Sequence, residues 1–87
     1  MQELKPNVRV EENKILLRVN KSFYDFETVE NVKKQFEQIA DVLTIDTKTD
    51  TLIEITPIQK LKSEEMEIIG YEFFNRLLNT IKEMRNE

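Results

Sequence analysis

The pattern of residues 63–87 (SEEMEIIGYEFFNRLLNTIKEMRNE) constrains the fold more than any other stretch of the chain. Met66, Ile69, Phe73, Leu77, Ile81 and Met84 recur at three- and four-residue steps, which puts them on one stripe of an α-helix. Tyr71, Phe74 and Leu78 widen that stripe, with Ile68 off to one side. A helix from 64 to about 85 would be about 33 Å long at 1.5 Å per residue. An element this long and apolar needs a surface to cover. In a chain of 87 residues, the preceding segments must build it. Ser63 is an N-cap candidate. Glu64, Glu65 and Glu67 in the first turn, and Arg76, Lys82 and Arg85 further on, match the helix dipole. Gly70 costs a helix interior about 1 kcal/mol relative to Ala, so a close backbone approach is expected there.

The preceding segments read as two hairpins and a helix. Residues 1–6 form a tail, and Pro6 suits a strand entrance but not its interior. Residues 7–11 (NVRVE) alternate with period two, as a strand does. Glu12 and Asn13 make a two-residue turn, and residues 14–20 (KILLRVN) return. That register opposes Val8 to Leu17 and Val10 to Ile15. Val8, Val10, Ile15, Leu17 and Val19 then share one face, with Arg9, Glu11, Lys14 and Arg18 on the other. Leu16 is the exception on the polar face and an interface candidate. Ser22 or Asp25 is placed to cap a helix over residues 26–41, whose apolar stripe is Phe26, Val29, Val32, Phe36, Ile39 and Ala40. Residues 42–47 (VLTIDT) and 51–56 (TLIEIT) form the second hairpin. Pairing Thr47 with Thr51 across a three-residue loop opposes Ile45 to Ile53 and Leu43 to Ile55, giving one clean apolar face. The two-residue alternative opposes Leu43 to Glu54 and Ile45 to Leu52 and mixes the faces, so the first register is expected. Pro57 ends the strand, and Ile58 and Leu61 are expected to tuck under the sheet edge.

The order β-β-α-β-β-α, with one apolar face per element, predicts a single α+β domain over residues 7–87. It is a two-layer sandwich with a four-stranded sheet and both helices on one side. This is a circular permutation of the ferredoxin-like arrangement. A right-handed crossover at the centre gives the sheet order 1-2-4-3. An intertwined dimer, in which one chain's hairpin completes the other's sheet, uses the same pattern.

Composition removes several chemistries. There is no cysteine, so no disulfide, iron–sulfur cluster or thiolate zinc site. There is no histidine, so no Ser–His nucleophile and no His-liganded metal. The net charge of −4 disfavours nucleic acid as a partner, since phosphate binding needs a basic face. No apolar run reaches the length of a membrane span, and no signal-like apolar segment follows Met1, so a cytoplasmic location is expected. Residues 46–50 (DTKTD) start like a calcium loop. They carry Lys at the third position and Thr at the sixth, and Pro57 falls at the twelfth, so a turn is expected. Glu64, Glu65 and Glu67 read as first-turn capping charge rather than metal ligands, and Lys33, Lys34, Lys60 and Lys62 as solvated surface. No cofactor is called for.

Two stretches carry a family resemblance. One is residues 17–24 (LRVNKSFY) with the helix that follows, to about Phe36. The other is residues 72–78 (EFFNRLL), with Arg85 beyond. Together, spanning most of residues 15–86, this layout resembles HxsD, the small protein of the His-Xaa-Ser repeat system. Tyr24, Asn75 and Arg85 are the matching polar positions. The resemblance implies a non-catalytic accessory protein beside a radical-SAM system that modifies a repeat peptide. The residues themselves lead to the same class, a small interaction domain with a protein or peptide partner or a second copy as a homodimer. The candidate interface residues are Tyr71, Phe74, Leu78, Asn75, Arg85 and Leu16. The rivals are a nucleic-acid-binding module and a small enzyme using carboxylates with Tyr24 or Tyr71.

Overall fold

Strand β1 (Asn7–Glu11) turns back into β2 (Lys14–Asn20), with Val8 opposite Leu17 and Val10 opposite Ile15. The polar-apolar alternation of the two segments predicts this register. Glu12 takes the left-handed conformation in the turn, at φ 48°. The computed structural model describes residues 7–85, with side chains for residues 8–80. The predicted tail, residues 1–6, lies outside the described residues, as do the side chains of Ile81, Lys82, Met84 and Arg85.

Helix α1 (Phe26–Phe36) starts where the sequence indicates. The Asp25 carboxylate accepts the Thr28 backbone N–H at 2.9 Å. This satisfies one donor that the first turn leaves free. The bond also holds the Asp25 carboxyl below its usual range, against a small opposing effect of burial. A group depressed in the folded state stabilises above its unfolded pKa, and that stability is lost as pH falls through the folded value. Asp25→Ala is therefore expected to cost about 1 kcal/mol at neutral pH. In urea titrations, the gap to wild type should close as the pH drops below about 4. Asp25→Asn keeps an acceptor, so it should stay near wild type and lack that pH dependence.

α1 ends five residues before the expected boundary. Residues 37–39 form a turn, in which Ile39 N–H donates to the Phe36 carbonyl at 3.0 Å. Ala40 then opens strand β3 (Ala40–Asp46), fully buried. The last two apolar positions of the helical pattern thus do other work. Ile39 is exposed, and its carbonyl accepts the Ile58 N–H at 3.0 Å. Phe26 also faces solvent rather than the core. Val29, Val32 and Phe36 already fill the space above the sheet.

β3 pairs with β4 (Asp50–Pro57), and β4 pairs with β2, giving the expected order β1-β2-β4-β3 with every neighbour antiparallel. The β3–β4 register differs from the expected one. Leu43 stands opposite Glu54, Ile45 opposite Leu52 and Val42 opposite Ile55. The turn is tight. Thr47 N–H donates to the Asp50 carbonyl at 2.8 Å, and Asp50 N–H donates to the Thr47 hydroxyl at 2.9 Å. Asp50 thus belongs to β4 and not to a three-residue loop. A slip of one residue reverses every side chain of a strand. Ala40, Val42 and Thr44 therefore point toward the helices, while Leu43 and Ile45 point away.

Helix α2 (Ser63–Arg85) has 23 residues, about 35 Å at helical rise. Ser63 is its first helical residue and not its cap. The Lys62 carbonyl accepts the Met66 N–H, and the Lys62 N–H donates to Glu65 Oε1 at 3.0 Å, the returning half of a capping box. Met66, Phe73 and Leu77 are buried on the sheet, and Ile69 packs beside them. Gly70 is the close approach that the sequence foreshadows. A Cβ there would sit 2.8 Å from Val8 Cγ1 and 3.0 Å from Ile15 Cγ2. Phe73 meets Phe36 at 5.0 Å between ring centroids. Arg76 ties the helices across their outer edge. It donates to Gln35 Oε1 at 2.8 Å, pairs with Glu72 at 3.1 Å, and lies over the Phe36 ring at 5.3 Å. Leu61 is partly buried, as expected, whereas Ile58 is exposed.

Candidate functional site

Both helices lie on one side of the sheet, so the other side is open. Its composition follows from the ladders. One row across the sheet runs Arg18, Leu52, Ile45. The next runs Arg9, Leu16, Glu54, Leu43. In the third, Glu11 pairs with Lys14, and Asp41 pairs with Thr56. Continuing the β2–β4 ladder by one step places Lys14 beside Thr56.

Four large aliphatic side chains therefore face outward: Leu16, Leu43, Ile45 and Leu52. Leu43 and Ile45 keep 54% and 49% of their surface exposed, and Leu16 and Leu52 are half-buried. Between the side chains lies a hollow of about 410 Å³ lined by Arg9, Leu16, Arg18, Ile45, Leu52 and Glu54 among others. Scattered exposed aliphatics are ordinary on a protein surface, whereas a contiguous group is informative. Ion pairs surround this group: Lys14 with Glu54 at 3.0 Å, Arg18 with Asp50 at 3.6 Å, and Arg9 with Glu11 at 3.0 Å. The half of the face built by β1 and β2 carries Arg9, Lys14 and Arg18 against one carboxylate, Glu11. The half built by β4 and β3 carries Asp41, Asp50 and Glu54 and no cation.

The six interface residues suggested by the sequence fall on two sides of the molecule. Leu16 belongs to the open face. Tyr71, Asn75 and Leu78 are exposed on α2, in a stripe that Ile68 extends. Phe74 is half-buried, and its ring meets Tyr24 edge-on at 5.9 Å, so it belongs mainly to the packing of α2 against the segment that leads from β2 into α1. The side chain of Arg85 lies outside the described residues. Leu43, Ile45 and Leu52 complete the open face and were not singled out by the sequence reading. The available signal was the alternation of β4. With Ile53 and Ile55 inward, Leu52 must face out beside Leu16.

Tyr24 is buried, and burial raises its hydroxyl pKa. Tyr71 is exposed on α2. The hollow on the open face has one carboxylate and no tyrosine, and two further hollows near Pro57 have neither. Among the described residues, no three acidic side chains converge as metal ligands would, and every buried side-chain nitrogen and oxygen has a hydrogen-bond partner. Residues 46–50 close a turn, with the Thr51 hydroxyl donating to Asp46 at 3.1 Å. The open face also lacks the aromatic residues on which nucleotide bases stack, and its cations occupy only one half. Among the described residues, no helix is long and apolar enough to cross a membrane. No family model, curated protein or solved structure matches the chain.

Proposed function

We propose that this chain is a non-catalytic protein-interaction domain that docks through the open face of its sheet. The observation that carries this reading is the outward group of Leu16, Leu43, Ile45 and Leu52, which the β3–β4 register collects and neither helix covers. Covering apolar surface is worth about 25 cal/mol per Å², and the rim of paired charges supplies orientation. The partner is a protein or a peptide, and the setting is the cytoplasm. The likeness to HxsD extends the reading to an accessory role beside a peptide-modifying enzyme, with the open face as the docking surface. The exposed stripe of α2, with Ile68, Tyr71 and Leu78, is interrupted by the polar Asn75.

The test is to immobilise the full chain and two variants and compare what each retains from an extract of the source cells. Leu43→Asp on the open face is expected to lose the specific partner, whereas Tyr71→Asp on α2 is expected to keep it. Both positions are exposed, so both variants should fold, which circular dichroism checks. Loss by the α2 variant alone, or equal retention by all three, would remove the open face as the docking surface.

A further inference from the structure

We infer that the occupant of the open face is a second copy of this chain, related by a two-fold axis lying in the face along β4. This rests on the reading of the open face as a docking surface and specifies its partner. Two features of the face select this axis.

The first is charge. The β1–β2 half is basic and the β4–β3 half is acidic. A two-fold axis in the face and perpendicular to the strands lays each half on its own kind. An axis parallel to the strands along β4 lays the basic β2 on β3 with its Asp41, while β4 lies on itself. Charge complementarity of this sort sets orientation and suppresses wrong pairings.

The second is the placement of the aliphatic residues in rows. An axis parallel to the strands keeps every residue in its row and reverses its side. With the axis along β4, β2 of one copy lies over β3 of the other. Leu16 and Leu43 share a row, so each Leu16 meets the partner's Leu43. Leu52 meets the partner's Leu52 on the axis. Ile45 lies over the aliphatic stem of the partner's Arg18, since both flank Leu52. At the end of the face, Lys14 comes over the partner's Asp41, and Arg9 approaches the same carboxylate from the β1 side. All four outward aliphatics are thus covered by apolar atoms. The result is two sheets packed face to face with aligned strands, about 10 Å apart, as in a β-sandwich. Two contacts are unfavourable. The two Glu54 side chains face each other across the axis, each held by its own Lys14 at 3.0 Å. The Asp50 side chains also meet near the axis, each paired with its own Arg18 at 3.6 Å. Three strands of overlap make a small isologous interface, of the size that weak, concentration-dependent association uses.

The experiment is sedimentation equilibrium of the purified full chain from low micromolar to about 1 mM. Wild type is expected to show a monomer–dimer equilibrium. Leu52→Glu, and independently the more exposed Ile45→Glu, should weaken it at least about tenfold while leaving the circular dichroism spectrum unchanged. Lys14→Asp and Asp41→Lys should each weaken it several-fold, and the double variant should recover most of the loss. Glu54→Gln should tighten the dimer, which a residue serving only the fold would not do. A monomer at every concentration overturns the self-pairing. So does a dimer indifferent to Leu52→Glu and Ile45→Glu, or one broken by Tyr71→Glu instead. A monomeric protein whose partner capture still depends on Leu43 would leave the docking reading standing, so the two failures are separable.

Discussion

Phe73→Ala is expected to remove about 3–5 kcal/mol of stability and leave much of the population unfolded or easily unfolded at 25 °C. A chain of 87 residues has roughly 4–13 kcal/mol in total. Phe73 has no exposed surface and is the largest fully buried side chain among the described residues. It sits where α2 meets both α1, through Phe36 at 5.0 Å, and the core surface of the sheet. Truncation there opens a cavity at the junction of three elements, and Phe36 cannot collapse into it without moving a helix. Arg76 resists that movement, because its guanidinium is anchored to Gln35 and Glu72 and rests on the Phe36 ring. Urea denaturation reads the effect. With a slope near 1 kcal/mol per molar, the midpoint should fall by about 3–5 M at constant slope. A loss below about 2 kcal/mol would mean that α1 and α2 are held together chiefly elsewhere. Phe74→Ala, one residue along and half-buried, should cost clearly less.

Gly70→Val is expected to be the other severe substitution, at about 3 kcal/mol or more, although it removes the only glycine from the interior of a helix. On helix propensity alone, Gly70→Ala should stabilise by about 1 kcal/mol. The packing opposes it. The added Cβ would lie 2.8 Å from Val8 Cγ1 and 3.0 Å from Ile15 Cγ2. These methyls belong to short β-branched side chains that cannot swing aside, and overpacking of this kind costs about 1–3 kcal/mol. Alanine should therefore come out neutral to mildly destabilising, and valine, with two more carbons in the same gap, well beyond it. The cause can be isolated with a double-mutant cycle. Val8→Ala should cost stability in the wild-type background and much less beside Gly70→Ala, because it vacates the space that the new methyl needs. Independent, additive effects would show that α2 does not rest on β1 at this point.

The legibility of the fold follows a physical divide. The first hairpin is readable because its turn and alternation agree: the Glu12–Asn13 turn sets a register that puts Val8, Val10, Ile15, Leu17 and Val19 on one face. The core stripe of α2 is readable because Met66, Phe73 and Leu77 lie at helical spacing, and Gly70 marks the crossing with the sheet. The end of α1 is less so. Ile39 and Ala40 continue the helical period, yet one is exposed in a turn and the other is buried in β3. Three- and four-residue steps do not show where a chain leaves the helix, because a strand can use the next apolar residue equally well.

The second hairpin separates the two levels most clearly. Alternation in residues 42–47 and 51–56 marks both as strands, and it ties Leu43 to Ile45 and Ile53 to Ile55. The sequence determines which residues share a face within each strand, since successive side chains alternate by geometry. Whether the two apolar sets face the same way depends on register. Requiring one clean apolar face selects the wrong register, because it assumes that only one face carries apolar side chains. The tight turn fixed by Thr47 and Asp50 sends Leu43 and Ile45 outward beside Leu52 and Leu16. What the sequence determined by itself is therefore the order of elements, the core of the first hairpin and the buried stripe of the last helix, all of which follow from local periodicity. Only the tertiary structure decided that the open face of the sheet is apolar. The two helices cover one side alone, and the pairing of β3 with β4 is a contact between segments whose sequences each permit two answers.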